Sequence, residues 1–369
     1  MDLSTQTVLP GLIDSHVHLL AVLSARGNNE MIRMTPSELA LRGTVNARKT
    51  LLAGFTSIQD VGSRSSEAIF ALRDAIARGD VIGPRIRASG TPIAIAGGHD
   101  DYRTGYPEYL WSALDEGNVC NGADDCRRAA REQIIRGADL IKISATGGVL
   151  SPAATGVGKQ FSNPELEAIV DASRSMGRYV TAHAHGTDGI NPALDAGVHS
   201  IEHGTYLDDS SIKKFRAGGA YLVPTALAAA TIMQWANDPN SWMSEAQKKK
   251  ALAVGPILIS SVGNAHNKGV KIAFGTDTGV SPHGENAREF QLLVDAGLSP
   301  IEAIMTATVN AAAHLEMSDQ IGTLESGKYA DFIAVSGDPR SDINTLLDVS
   351  VVVKGGILYK GASYLVVDD

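Results

Sequence analysis

Two histidines separated by one residue, His16 and His18, end the strand-like segment LIDSHVH. Side chains of a β-strand alternate between its two faces, so both imidazoles of such a pair point to the same side. Two neutral imidazoles on one face form half of a zinc-type site. Alone, the pair is also compatible with incidental histidines, one of them hydrogen-bonded in the core.

Further strand-like segments end in residues that bind metals or assist metal ligands. These residues are Lys142 in LIKISAT, His183 and His185 in YVTAHAH, His203 in SIEHGT and Asp277 in IAFGTDT. Five of the ten histidines of the chain lie in such segments, which argues against a chance arrangement. The set therefore predicts a metal centre where the strands end.

Lys142 needs its own explanation, because burying an ammonium group is costly. One interpretation is a salt bridge from Lys142 to a nearby carboxylate. The favoured interpretation is that its amine has reacted with carbon dioxide, because a carbamate is an anionic oxygen ligand able to bridge two metal ions. An ammonium group beside two divalent cations would instead be repelled.

Short apolar runs that alternate with longer helical stretches must position these residues. The strand candidates are residues 12–18, 55–61, 85–90, 140–146, 179–185, 200–205, 221–225 and 272–278. The helix-like segments between them include 36–54, 65–79, 124–137, 163–177 and 244–269. Eight β-then-α units predict an α/β fold of the (β/α)8 TIM-barrel type. No GxGxxG motif follows the first strand, which argues against a doubly wound sheet.

The two ends of the chain differ from this pattern. After about residue 320, short strands with glycine turns follow in GTLESGKYADFIAVSGDP, VSVVVKGGILYKG and SYLVV. We expect residues 1–10 to form a residual β-sandwich strand, residues 11–320 the barrel, and residues 321–369 a C-terminal β-sandwich segment. The appendage would then be small and truncated on its N-terminal side, unless the C-terminal strands pair differently.

Charge and hydropathy exclude several classes of partner. The 369 residues carry 32 basic and 41 acidic side chains, a net charge of −9, without a basic run that would bind nucleic acid. No apolar stretch reaches the roughly 18 residues of a membrane span. The N-terminal segment MDLSTQTVLPG lacks a signal-peptide pattern. A cytoplasmic protein is expected, or a periplasmic or secreted one if a leader has been removed.

The only two cysteines, Cys120 and Cys126, lie in the segment CNGADDC. Two free thiols in a cytosolic protein are the favoured interpretation. The alternative is a short-loop disulfide, for which Asn121-Gly122 would supply the turn. The segment contains no CxxC spacing, so it does not indicate a zinc site.

The segments GLIDSHVHL, LIKISATGG, TAHAHG, SIEHGT and AFGTDTG together resemble the amidohydrolase superfamily. The closer resemblance is to its imidazolonepropionase-related branch, which includes bacterial prolidases, carboxypeptidase-like dipeptidases and ochratoxin-hydrolysing amidases. The tail GTLESGKYADFIAV…GDP resembles the closing β segment of this family, and the resemblance extends from Val8 to Tyr364. It implies a homo-oligomer and two divalent metal ions, with zinc expected and manganese or cobalt compatible. The chain departs from the family in lacking several N-terminal sandwich strands.

The resemblance implies a role for each residue at the strand ends. His16, His18 and Asp277 would bind the more buried metal ion, a carboxylated Lys142 would bridge both ions, and His183 and His203 would bind the second. His185 shares a strand face with His183 and is the alternative ligand. His183 is preferred because its 20-residue spacing to His203 matches the family pattern.

The implied chemistry is amide hydrolysis. Two metal ions would activate water and polarise the substrate carbonyl, while Asp277 would take the proton of the water and deliver it to the leaving nitrogen. Deaminase-like relatives use one metal ion and an HxxE glutamate after strand five, which HAHGTDG lacks. We therefore expect cleavage of dipeptides or N-acyl amino acids with a free C-terminal carboxylate, as in prolidases, carboxypeptidase-like enzymes or ochratoxin-type amidases.

Candidate substrate contacts are less distinctive. His99, in the loop IAIAGGHDDYRTGYPEYLW, is a candidate for bonding the tetrahedral oxyanion, or is a solvated loop residue. Tyr206 would hold a substrate carboxylate, or would only pack at the rim. Arg103 and Arg288 are candidate carboxylate clamps because guanidinium pairs bidentately with carboxylate. His283 is a further loop candidate, and the histidines interpreted as structural are His199, His266 and His314.

Two other functions stay open at this point. A cyclic amide or lactone hydrolase of the imidazolonepropionase type would keep the barrel and the metal ions but would need no carboxylate clamp. A non-catalytic binding barrel is the alternative from another class. Such a protein would have no need for Lys142 beside four imidazoles and Asp277.

Overall fold

The computed structural model describes residues 1–25, 30, 33–151 and 156–361. The strands of this part are β1 Gln6–Pro10, β2 Leu12–Val17, β3 Phe55–Asp60, β4 Arg85–Ala88, β5 Ala94–Ile95, β6 Val119–Cys120, β7 Ile141–Ser144, β8 Val180–Ala184, β9 Ser200–His203, β10 Tyr221–Val223, β11 Lys271–Ile272, β12 Phe332–Ser336, β13 Val349–Lys354 and β14 Ile357–Lys360. The α-helices are Pro36–Leu52, Ser66–Arg78, Trp111–Leu114, Ala123–Arg136, Asn163–Ser175, Thr187–Ala196, Asp209–Gly218, Ala226–Asn237, Glu245–Asn267, Arg288–Asp295, Pro300–Met305 and Ala311–His314. A π-helical turn, Thr306–Asn310, joins the last two, and 3-10 turns occur at Glu108–Leu110 and Ile343–Leu347. None of the helices in this part is long and apolar enough to cross a membrane.

Eight parallel strands form the α/β core, and each coincides with a predicted strand. Strands β2, β3 and β4 form one sheet, and β7 to β11 form a second sheet in sequence order. The isolated parallel bridges Val17–Thr278 and Ile93–Ile143 connect the two sheets, so the ladder is not one continuous closed sheet. Every residue of β2, β3, β7, β8 and β9 is buried, as expected for parallel strands covered on both faces. This arrangement brings the carboxyl ends of the strands together.

The helices begin and end where local sequence signals place them. Thr35 and Ser162 each form a capping box with the glutamate three residues later, and proline occupies the first turn of both helices. Gly79 and Gly137 end their helices in the left-handed conformation that glycine adopts without a steric penalty. The five helices predicted above are confirmed to within one or two residues.

The N-terminal and C-terminal strands form a separate antiparallel sheet in the order β1-β12-β13-β14. Gln6 lies opposite Ser336, so the predicted N-terminal strand pairs with the C-terminal segment. The ion pair from Arg85 to Asp331, at 2.7 Å, ties this sheet to the barrel. The described residues form a single sheet at this end of the chain. The predicted β-sandwich and the predicted domain boundaries therefore stay predictions. The predicted strand SYLVV, residues 363–367, lies outside the described residues.

Cys120 and Cys126 are joined by a disulfide bond, so the expectation of free thiols was wrong. Gly122, with φ of 80°, forms the turn between the two cysteines and precedes the helix that carries Cys126. The turn brings the two cysteine Cα atoms within 4.9 Å, inside the range that a disulfide requires. Both cysteines are buried in the main hydrophobic core.

Candidate active site

The residues predicted at the strand ends meet in two clusters. His18 Nε2 lies 3.1 Å from Asp277 Oδ1 and 3.3 Å from His16 Nε2. A second cluster contains His183, His185 and His203, and within each cluster the potential ligand atoms lie within 4.8 Å of one another. The rings of His16 and His203 are only 5.2 Å apart, so the two clusters are adjacent. The geometry brings together every histidine that the sequence placed at a strand end.

Glu202 fixes the ring of His16. The Nδ1 of His16 donates to Glu202 Oε2 at 2.6 Å, and both side chains are buried. The other carboxylate oxygen accepts hydrogen bonds from the hydroxyls of Ser200, at 2.9 Å, and Thr181. A carboxylate behind a histidine sets its tautomer and leaves Nε2 free to bind a metal ion. Sequence reasoning missed Glu202, although it directly precedes His203 in SIEHGT.

Two other rings are fixed in the same way by neutral acceptors. His18 donates from Nδ1 to the carbonyl of Gly62 at 2.6 Å. The hydroxyl of Thr225 donates to the carbonyl of Pro224 and is therefore left to accept from Nδ1 of His203, at 2.7 Å. Both arrangements present Nε2 as the available nitrogen, which is the form a metal ligand needs.

Three non-glycine residues at strand ends adopt left-handed backbone conformations. They are His203 with φ of 70°, Thr225 with φ of 55° and Asp277 with φ of 57°. Such conformations are unfavourable for residues with a Cβ and concentrate at functional sites. In β9 the turn at His203 explains how adjacent residues, Glu202 and His203, both reach the interior despite the alternation of a strand. Backbone strain therefore helps to assemble the two clusters.

The protonation states suit a site that attracts cations. Burial holds the pKa values of His16, His183 and His203 well below the usual range, which favours the neutral imidazole that binds metals. Burial also opposes protonation of His18, but its hydrogen bond to Asp277 prevails and raises its pKa to about 9. Burial likewise opposes ionisation of Asp277, yet the neighbouring histidines hold its pKa below the usual value. The donor set therefore fits divalent metal ions.

Lys142 is buried in the strand β7 and lines the cavity above the two clusters. Burial lowers its pKa, although the carboxylates of Glu202, Asp100 and Asp277 oppose the shift. Among the described residues, its ammonium group has no hydrogen bond and no ion pair within 4 Å. The salt bridge considered from the sequence is therefore not found in this part of the chain.

Ring stacking connects His185 and the loop residue His99 to the other imidazoles of the second cluster. The ring of His185 stacks on His203 with centroids 5.0 Å apart, and its Nδ1 bonds the hydroxyl of Thr205 at 2.8 Å. The ring of His99 stacks on His183 at 4.4 Å, and its Nδ1 is buried without a hydrogen-bond partner. His99, a predicted site residue, therefore lies against the second cluster and lines the same cavity. His185 lies close enough to remain the alternative ligand.

A cavity of about 880 Å³ opens above the clusters. Part of its wall is apolar and comes from the helices that follow β10, with the side chains of Ala228, Ala229, Ile232, Val254 and Leu258. Another part is polar and comes from the loops that follow β3 and β5, with Arg64, Asp101, Tyr102 and Glu116. The volume and the mixed lining are typical of a small-molecule site.

Several predicted substrate contacts are not brought to this cavity. Tyr206 lines a separate, smaller pocket with Ile257 and Asn264 and is not among the residues that line the cavity above the clusters.

The two predicted arginine clamps already have partners. Arg103 is held bidentately by its neighbour Asp101, at 2.7 and 3.0 Å, and Arg288 pairs with Glu285 at 2.6 Å near the surface. His283 donates to the carbonyl of Ala21 at 2.8 Å. Of the three histidines interpreted as structural, His199 donates to the backbone carbonyl of His314, and His266 lies 3.4 Å from Glu302. The ring nitrogens of His314 are buried without a hydrogen-bond partner among the described residues.

Comparisons with known proteins identify the family of the chain. Residues 7–358 match the sequence model of the amidohydrolase family. Ochratoxinase of Aspergillus niger is 33% identical over 385 residues, which cover 96% of this chain and 76% of that protein. A solved Xaa-Pro dipeptidase with methionine bound in its active site has a TM-score of 0.91 and 41% identity, covering 98% of this chain and 88% of that one. A prolidase complexed with N-methylphosphonate-L-proline has a TM-score of 0.88 and 32% identity, with the same coverage of 98% and 88%.

Proposed function

The chain belongs to the amidohydrolase family and is a hydrolase of C–N bonds, and from this premise we propose a narrower activity. It cleaves dipeptides or N-acyl amino acids that carry a free C-terminal carboxylate, with a two-metal centre. The proposal rests on one observation: two adjacent ligand clusters lie beneath one cavity, and Lys142 lines that cavity.

We propose that zinc is the resident metal. His16, His18 and Asp277 would hold one ion, and His183 and His203 the other, because these residues bring imidazole nitrogens and a carboxylate within a few ångströms of one another. Divalent ions held there would supply Lewis acidity, which makes water nucleophilic near neutral pH and polarises a carbonyl.

Lys142 is proposed to carry the carboxyl group that completes the donor set. Carbon dioxide reacts with the unprotonated amine, and burial favours that form of Lys142 by lowering its pKa. The amine loses a proton to solvent as the C–N bond forms, so the resulting carbamate is anionic. It would lie among imidazoles instead of adding a third cation to the site. The absence of another partner for Nζ among the described residues supports this assignment.

The proton steps fall to the residues of the chain. Asp277, held by His18 at 3.1 Å, takes a proton from the attacking water and returns it to the leaving nitrogen. His99, whose Nδ1 has no hydrogen-bond partner among the described residues, donates to the oxygen of the tetrahedral intermediate. The apolar part of the cavity excludes water and provides room for a substrate side chain.

Three named relatives support amide substrates of this class. The similar solved structures include a Xaa-Pro dipeptidase and a prolidase, and the similar curated protein is an ochratoxinase. That the substrate of this chain carries a free C-terminal carboxylate is our own proposal. A homo-oligomer is likewise proposed, and sedimentation velocity would measure it.

Amine release from a panel of substrates tests the proposal. The panel contains Xaa-Xaa dipeptides, N-acyl amino acids and cyclic amides, assayed with zinc-loaded protein and with the Asp277→Asn variant as the inactive control. We expect turnover of linear amides, grouped by the C-terminal residue. Turnover of cyclic amides alone, or of no linear amide by protein that has bound two metal ions, would contradict the proposed function.

A further inference from the structure

Arg64 follows the strand β3 and lies next to the first cluster. Two residues earlier, the carbonyl of Gly62 accepts the hydrogen bond from His18 at 2.6 Å. Two residues span at most about 7 Å, so the backbone of Arg64 is held near the candidate metal site. Its side chain is among those that line the cavity. The position is therefore set by the same loop that orients a ligand.

One guanidinium nitrogen of the half-buried Arg64 is inaccessible to solvent and has no hydrogen-bond acceptor among the described residues. This nitrogen is Nη1, and no ion pair of Arg64 is found among the described residues. The guanidinium group lies over the ring of Tyr102, 5.3 Å from the centroid, in a cation–π contact. Burial lowers its pKa, although Tyr102 and the more distant Asp100 and Glu30 favour the charged form.

A comparison with Arg103 shows that an unpartnered guanidinium nitrogen is unusual in this part of the protein. Arg103 lies in the loop that also carries Tyr102, and Asp101 satisfies its guanidinium group with two hydrogen bonds. Arg64 has the same five N–H donors, but its buried Nη1 has no acceptor among the described residues. A buried charged donor without an acceptor is costly, and strongly perturbed groups of this kind concentrate at functional sites.

We propose that Arg64 binds a carboxylate of the substrate, with Tyr102 as the platform that holds its guanidinium plane. The inference rests on the proposed function and deepens it, because it supplies the carboxylate contact that Arg103, Arg288 and Tyr206 do not provide. Guanidinium and carboxylate match in shape and form paired hydrogen bonds, which gives specificity as well as affinity.

The carboxylate has two sources in this substrate class. One is the C-terminal carboxylate of the leaving amino acid, since Asp277 delivers its proton beside His18 and Arg64 follows the loop that holds His18. The other is an acidic group on the acyl portion of the substrate. Arg64 would bind either carboxylate through the same hydrogen bonds, so matched substrate pairs are needed to distinguish the two sources.

The experiment compares kcat/KM for two substrate pairs with the full-length zinc-loaded protein. The first pair is an N-acyl amino acid and its C-terminal carboxamide, and the second is a succinyl and a butyryl amide of one amino acid. Wild type is expected to favour the carboxylate member of one pair by roughly 10- to 100-fold, the range for a hydrogen bond to a charged group. Arg64→Gln removes that preference, mainly through KM, whereas Arg103→Gln leaves it unchanged. The pair that loses its preference identifies the source.

Measurements of equilibrium binding test the carboxylate contact of Arg64 separately from the proposed hydrolase activity. Calorimetry with the same four compounds, on wild type and on Arg64→Gln, reports recognition even when no amide is cleaved. Loss of a carboxylate preference in Arg64→Gln but not in Arg64→Lys supports a charged contact, and it does so even if the hydrolase proposal fails. Equal preferences in wild type and in a folded Arg64→Gln, verified by its melting temperature and bound zinc, would overturn the role of Arg64.

Discussion

Replacing Glu202 with glutamine tests how the buried carboxylate prepares His16. Glutamine keeps the shape of the side chain and one acceptor for His16 Nδ1, but it removes the negative charge. The bond to be weakened is 2.6 Å long and lies in the buried interior, where electrostatic interactions are strong. We expect Glu202→Gln to fold and to bind metal more weakly at the cluster of His16, His18 and Asp277.

The size of the effect follows from the contact. A hydrogen bond to a charged group contributes about 1.5–3 kcal/mol. Loss of a residue that orients a metal ligand costs about 10- to 100-fold in metal affinity, which corresponds to about 1.4–2.8 kcal/mol. The two ranges agree. The assay is zinc affinity measured by competition with a chromogenic chelator, followed by kcat/KM for the best amide substrate at saturating zinc.

Glu302→Gln is the matched control, because Glu302 also pairs with a histidine. His266 Nε2 lies 3.4 Å from Glu302 Oε1. That pair is partly exposed, and neither residue belongs to the two ligand clusters. We expect unchanged zinc affinity in the control. Equal zinc affinities in Glu202→Gln and wild type, with both proteins folded, would refute the positioning role of Glu202.

Three other outcomes are expected. Asp277→Asn should retain the fold and lose turnover by at least about 100-fold, the lower range for general acid–base catalysis; substantial remaining amide hydrolysis would remove its proton-transfer role. Lys142→Ala should lose bound metal by elemental analysis, with partial rescue of activity by short carboxylates, whereas full metal occupancy would count against a bridging carbamate. Burial raises the pKa of Glu289 to about 8, even though it accepts backbone hydrogen bonds from Ala226 and Leu227. The folded state therefore holds a proton that the unfolded state loses near pH 4.5, so this contribution falls as pH rises from about 4.5 to 8. In metal-free protein, Glu289→Gln should flatten the dependence of the unfolding free energy on pH over that window; an identical slope in wild type would contradict the assignment.

The periodicity of the sequence predicted the barrel strands because each is a short apolar run bounded by turn residues. The strand candidate at 272–278 is much shorter as an assigned strand, Lys271–Ile272, because the chain bends toward Asp277, whose φ of 57° departs from extended geometry. Pairing between distant segments was harder to predict. Apolar patterning marks a strand but does not specify its partner, and the pairing of Gln6 with Ser336 depends on contacts across the whole chain.

The ligand clusters were predictable because histidines are few and five of them end strands. Glu202 and Arg64 were not, for different reasons. Strict alternation would place Glu202 on the opposite face from His203, and the left-handed turn at His203 is invisible in the sequence. In the sequence Arg64 resembles any other loop arginine, and its buried Nη1 without an acceptor is what distinguishes it from Arg103.

A crystal structure of the zinc-loaded protein, with anomalous diffraction recorded at the zinc edge, tests the two-metal centre most directly. We predict one anomalous peak bounded by His16, His18 and Asp277 and a second bounded by His183 and His203. Density extending from Nζ of Lys142 should reach both peaks. A single peak, or an unmodified Lys142 beside two occupied sites, would contradict the account.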